Sequence, residues 1–229
     1  MKYAVGEIIL VVIGILIALQ INNLNQERIL NEQNLIIVQN LNKEFSENLI
    51  ELDSRITKFN RIIEGLEELL TVMRTQDSSL TEASFDELLQ KTFWTPNWTP
   101  SSFVLVELKS SGALSKLKNN ELKTLLFKWE REFANMHVNK DAYILYGEEY
   151  IEFITKNGSV RNIDALTEET KHLQKSTIAN NSLELLKIPE FENRADNFYF
   201  LAFRLRDNFQ ALRVTMQDIV TASNAELNL

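Results

Sequence analysis

Cysteine is absent from the 229 residues, which excludes disulfides, thiolate zinc sites and cysteine nucleophiles together. A cysteine-free chain suits either side of a membrane, so the compartment stays open. Proline and glycine are scarce, at three and six residues, and so few chain breakers favour long helices over many short strands. A positive excess is also missing. The net charge is −8 and the basic residues are scattered, so a nucleic-acid strand would be repelled and no nucleic-acid partner is expected. Histidine is limited to His137 and His172. They fall on different predicted helices and fit core or surface positions better than catalysis or metal ligation.

The motifs that announce chemistry are missing too. There is no phosphate-binding glycine loop, dinucleotide fingerprint, zinc-protease helix, nucleophile elbow or calcium loop. Glu148, Glu149 and Glu152 are the densest carboxylate group. Glu148 and Glu152 share a helix face able to hold a cation, but glutamate is a strong helix former, which makes a solvated face the simpler reading. No metal, cofactor or enzymatic activity is expected.

What the chain does have is an oily opening. From Tyr3 to Leu24 it reads YAVGEIILVVIGILIALQINNL, which as a helix reaches roughly 30 Å, the thickness of a bilayer's hydrocarbon core. The run from Ile8 to Ile17 holds nine Ile, Leu or Val and one Gly, worth about −3 to −5 kcal/mol on insertion. Glu7 opposes this from near one end, where its cost is below the roughly 3 kcal/mol of a central charge. A cleavable signal peptide fits less well, because the charged leader is Met1 and Lys2 alone and no A-x-A site follows. The reading is a retained anchor at residues 1–27, followed by a water-facing domain at residues 28–229. Lys2 on one side, against Arg28 beside Glu27 on the other, places the N-terminus in the cytoplasm and the domain outside it.

Gly14 and Ala18 form a small-xxx-small pair that lets helices approach closely. Glu7, Val11, Gly14, Ala18, Ile21 and Asn25 follow alternating spacings of four and three, so they share one stripe. Two readings stay open: small residues common in any membrane helix, with Glu7 at the interface, or self-association with Glu7, Gly14, Ala18 and Asn25 facing an assembly or lining a pore.

Beyond the anchor, Arg28 to about Met73 reads as one long helix. Phe45, Leu49, Leu52, Ile56, Phe59, Ile63, Leu66, Leu70 and Met73 repeat with strict four–three alternation, a heptad seam for a coiled coil or long bundle. Glu44, Glu47, Glu51, Arg55 and Lys58 mark the solvated face, and Leu35 to Val38 should be covered by more than one neighbour. Ser84 to Glu87 resembles a capping box opening a short helix to about Thr92. Phe93, Trp94 and Trp98 lie in a proline-bearing loop, either plugging the end of a bundle or forming a recognition surface. A helix from Ser102 to Ser110 ends at Gly112, and Ala113 to Lys118 adds a turn. Asn119 caps a second long helix to about Thr155, with Leu122, Leu126, Trp129, Phe133, Met136, Tyr143, Tyr146, Tyr150 and Phe153 on its inner face. Short helices are expected near Glu168–Gln174 and Ser182–Lys187. A third long helix runs from Glu192 to Ala222 and buries Phe198, Leu201, Leu205, Phe209, Leu212, Met216 and Ile219. No stretch alternates like a strand. The fold class is all-α: a transmembrane helix continuing into a long heptad helix, packed in an antiparallel helical bundle.

The stretch KYAVGEIILVVIGILIALQINN, Lys2 to Asn23, resembles the anchor of an uncharacterised family of small single-pass proteins of Gram-negative, Bacteroidota-type bacteria. Glu107-Leu108-Lys109-Ser110-Ser111-Gly112, with Leu114-Ser115 and Asn120-Glu121-Leu122, is similar to a second patch of that family. Members carry a basic stretch before the anchor that this sequence lacks. The resemblance implies an inner-membrane location and a single-pass architecture, and it implies no activity.

These readings lead to a non-enzymatic membrane protein that self-assembles and presents a helical scaffold outside the cytoplasm. Its expected partners are the lipid bilayer, copies of itself and another membrane protein. A pore lined by the anchor and a ligand sensor acting through a membrane partner are the alternatives.

Overall fold

The computed structural model describes residues 2–76, 79–93 and 97–228, with side chains from Leu10 onward. Its elements are α1 (Lys2–Thr75), α2 (Glu82–Thr92), α3 (Phe103–Ser110), α4 (Ala113–Lys116), α5 (Asn120–Asn157), α6 (Val160–Asp164), a 3-10 turn (Ser182–Lys187) and α7 (Pro189–Leu227). No strand occurs among the described residues.

Helix α1 runs unbroken for 74 residues, about 110 Å of rod. No proline interrupts it, and apolar side chains recur along one face from Val38 to Met73. Local chemistry sets the other long helices. Asn119 caps α5 by accepting from the Leu122 N–H at 2.9 Å. Gly158 ends it, its N–H donating to the Ile154 carbonyl at 2.8 Å. Pro189 opens α7 in the first turn, where a missing N–H costs nothing. Gly112 joins α3 to α4 with φ at +70°, a backbone state that glycine adopts freely.

Side-chain pairs fix the topology. Asn42–Asn224, Asp53–Arg213 and Glu67–Tyr199 join α1 to α7; numbers rise on one helix as they fall on the other, so the two are antiparallel. Glu132–Thr215 and Asn139–Asn208 show the same for α5 and α7. Asn34–Lys118, Phe45–Trp129 and Phe59–Tyr143 keep a constant separation of 84 residues, so α1 and α5 run the same way. Between them in sequence, successive contacts descend along α1, from Lys91 at Glu68 through Ser101 at Asn48 and Val104 at Glu44 to Lys118 at Asn34. The result is an up-down-up-down bundle whose second leg is broken into pieces. The described residues 97–100 of that leg are not helical.

Aromatic rings fill the interior as one unbroken column. In order of contact they are Phe45, Trp129, Phe133, Trp98, Phe209, Phe59, Tyr143, Phe198, Tyr150, Phe191 and Phe153, with neighbouring centroids 4.9–6.1 Å apart. These spacings suit edge-to-face and offset-stacked rings. The heptad seam of α1 is therefore spent inside the molecule, against α7 and this column.

Several expectations need correction. Thr81, not Ser84, caps α2; Ser84 is the N3 partner, and each side chain accepts from the other's backbone N–H. Residues 165–172 form turns instead of a helix near Glu168–Gln174, because the Thr167 and Thr170 hydroxyls both donate to the Asp164 carbonyl and compete with helical bonding. Ser182–Lys187 is a 3-10 turn, and the short α6 lies outside every helix the sequence predicts. Glu44, assigned to the solvated face, is buried. Leu35 and Ile36 are exposed rather than covered, and Tyr146 is also exposed.

Candidate functional site

From Leu10 to Gln33 every side chain of α1 is exposed, and Asn34 is the first buried one. A Cβ built on Gly14 would meet nothing within 4 Å, and Ala18 is equally open. Asn25 accepts from Arg28 at 3.2 Å, and Arg28 pairs with Glu32 at 2.6 Å, both exposed contacts along the helix. Glu7 lies within α1, but its side chain is outside the described residues. Gly14, Ala18 and Asn25 thus share a face of the helix, as their spacing requires, and the bundle covers none of them.

The bundle begins with amide chemistry. Asn34 donates to Glu226 at 2.5 Å and accepts from the Lys118 N–H at 3.1 Å. Asn31 bonds the Lys118 ammonium. Asn42 donates to the Val220 carbonyl at 3.1 Å and to Asn224 at 3.0 Å. One amide can both donate and accept, so Asn34 joins α1 to two other elements at once. Two residues further on, Glu44 accepts from the Ser101 hydroxyl at 2.6 Å and the Val104 N–H at 3.2 Å. Asn48 makes a reciprocal pair with the Ser101 backbone, at 2.7 and 2.8 Å. Ser102 gives α3 no side-chain cap; the Glu44 carboxylate supplies one from α1, where the helix dipole favours negative charge.

The aromatic loop is mostly interior. Trp98 is 1% exposed, held between Phe133 and Phe209 at 6.0 and 6.1 Å, and its indole N–H is buried without a partner among the described residues. Phe93 is half-buried, edge-on to Tyr150 at 6.5 Å. It borders an open groove of about 660 Å³ with Lys58, Arg61, Ile62 and Leu166. Trp94 lies outside the described residues. In the structure Trp98 plugs the middle of the core and offers no surface.

Ionisable groups are dispersed. Burial pushes the Tyr143 and Tyr150 phenols far above their usual range, and Tyr150 is hydrogen bonded to Thr92 at 3.1 Å. The hydrogen bond to Lys156, at 2.6 Å, holds Glu152 below the ordinary carboxylate value, while Glu149 faces Arg194 at 3.6 Å. His137 is exposed, edge-on to Phe133 at 4.6 Å, and His172 is exposed in the turns after α6. Among the described residues no three His, Asp or Glu side chains converge as a metal set would.

The clearest unusual surface is therefore α1 before Asn34, and α1 is one helix long and apolar enough to cross a membrane. No curated protein and no solved structure matches the sequence. A family model does, over residues 7–193, which span the apolar helix, the broken leg, α5 and the opening of α7: the chain belongs to the family of unknown function DUF6090.

Proposed function

We propose that this chain is a single-pass inner-membrane protein that self-associates through its N-terminal helix and carries the bundle outside the cytoplasm as a scaffold or interaction domain, without catalysing a reaction. One observation carries the reading. Residues 10–33 have no cover within the molecule, yet the helix that bears them continues without a break into the core at Asn34. An apolar surface like that of Leu10 to Ile21 does not stay in water; lipid is its natural cover, and helix packing is the natural cover for the amide-rich stretch that follows. The absence of any loop between the apolar run and the bundle also favours retention over cleavage, and Lys2 ahead of the run favours a cytoplasmic N-terminus.

Two measurements on the full chain test this. It should stay with membranes through an alkaline carbonate wash, and chemical crosslinking in mild detergent should give a defined oligomer. Recovery in the soluble fraction, or a clean monomer at working concentration, overturns the proposal.

A further inference from the structure

The bundle claims only one face of α1, and the opposite face has a pattern of its own. A helix turns 100° per residue, which puts Asn34, Val38, Leu41 and Phe45 together on the buried side. Roughly 140° away by the same rotation lie Asn22, Gln26, Ile29, Gln33, Ile36 and Asn40, all exposed. Their spacing alternates four and three, and it continues back into the apolar run as Leu19, Ile15 and Val12. No charged residue stands on this seam from Val12 to Asn40; Lys43 and Glu47 end it.

The amides on the two faces have different fates. Asn31, Asn34 and Asn42 are bonded to Lys118, Glu226 and Val220. Asn22, Gln26, Gln33 and Asn40 have no hydrogen-bonded partner among the described residues. Between the apolar run and the bundle α1 stands alone, and a lone asparagine-rich helix in water is marginal.

We propose that this seam, Val12 to Asn40, is where a second copy of the chain packs in parallel and in register. The inference rests on the self-association proposed above and names its face and partner. Membrane insertion aligns all copies in one direction, so each seam residue meets itself. A lysine or glutamate there would repel its copy. An amide alone among the long polar side chains both donates and accepts, so it pairs with itself. Ile15, Ile29 and Ile36 recur at one heptad position with Asn22 between them, and an amide enclosed among apolar seam residues finds its partner only when the copies are in register. Gly14, Ala18, Ile21 and Asn25 form a competing stripe. Its continuation carries Arg28 and Glu32 and reaches Asn42, which α7 already holds.

The chain has no native cysteine, so single cysteines can be scanned through the full protein in membranes under mild oxidation. Gln26→Cys, Ile29→Cys, Gln33→Cys and Ile36→Cys should give disulfide dimers severalfold more abundant than Asn25→Cys, Arg28→Cys, Glu32→Cys and Leu35→Cys. The double change Ile29→Glu with Ile36→Glu should abolish the chemically crosslinked dimer and leave bundle unfolding unchanged. If crosslinks peak on the second set, or an oligomer persists with none on the first, this seam is wrong while self-association stands. A membrane-bound monomer in every assay overturns both.

Discussion

From Leu10 to Gln33, α1 exposes every side chain; from Asn34 to Met73 the same helix buries one face in the bundle. Both stretches are rich in Ile and Leu, so hydrophobic content alone does not separate them. Patterning does. In the second stretch apolar positions recur every three or four residues with Glu, Lys and Arg between them, which leaves one side for water. In the first, apolar side chains surround the helix and give way to a stretch rich in asparagine and glutamine, with Glu27, Arg28 and Glu32 among them. The second half is held by its own chain; the first depends on what surrounds the molecule.

The sharpest way to break this contrast is a large-to-small change in each half. Phe59 sits in the aromatic column, fully buried between Tyr143 and Phe209. Phe59→Ala should cost about 3–5 kcal/mol, read from urea unfolding of the detergent-solubilised chain. Leu16→Ala, equally apolar but exposed, should leave that unfolding curve where it is. Equal losses would mean that the two halves are not energetically distinct.

Alkaline pH probes the buried half from another direction. Tyr143 and Tyr150 stay protonated when folded because burial opposes the phenolate. Their pKa values are raised, so above about pH 10 the unfolded chain releases these protons and the folded chain keeps them. The unfolded state then binds fewer protons, and stability falls as pH rises, by about 1.4 kcal/mol per phenol per pH unit. Below pH 10 the contribution is intact. Unfolding free energies between pH 9 and 12 should show this slope, and Tyr143→Phe or Tyr150→Phe should each reduce it. An unchanged slope in both variants would sink the assignment.

Glycine gives a smaller, symmetrical test. A Cβ on Gly147 would lie 2.9 Å from the Phe198 ring, which is itself stacked on Tyr150. Gly147→Ala should cost about 1–3 kcal/mol through forced repacking. Gly14→Ala meets open space and should leave bundle stability unchanged. A neutral Gly147→Ala would show that the column yields more easily than its packing implies.

Much of this division was legible in the sequence. The α1 seam, the Asn119 cap, the Gly158 stop and most of the inner faces of α5 and α7 follow from local spacing and capping chemistry, though Tyr146 is exposed and Leu201 half-buried. The misses share a cause. Glu44 sits on a stripe of charged residues and reads as solvated, because its partners Ser101 and Val104 lie nearly sixty residues away in the chain. By sequence Trp98 fits either a plug or a contact surface, and only the position of Phe133 and Phe209 decides its depth. By sequence the α1 seam suits a coiled coil or a long bundle, since periodicity says that a face is buried and not by whom. The free amide seam is visible only once the bundle has taken the other side.

The boundary between the halves gives the last and smallest test. Asn34 is the first buried side chain among the described residues, and its single amide links α1 to Glu226 on α7 and to the backbone of Lys118. Asn34→Ala removes both bonds and leaves the Lys118 N–H and part of the Glu226 carboxylate without partners, a cost of about 1–2 kcal/mol. The loss should be local. Hydrogen exchange should speed up in the backbone amides from Asn31 to Val38, while those from Leu52 to Leu66 keep their protection, because the aromatic column begins only at Phe45. If protection fell along the whole helix, the rod would be a single cooperative unit, and Asn34 would not mark where the bundle's hold on α1 begins.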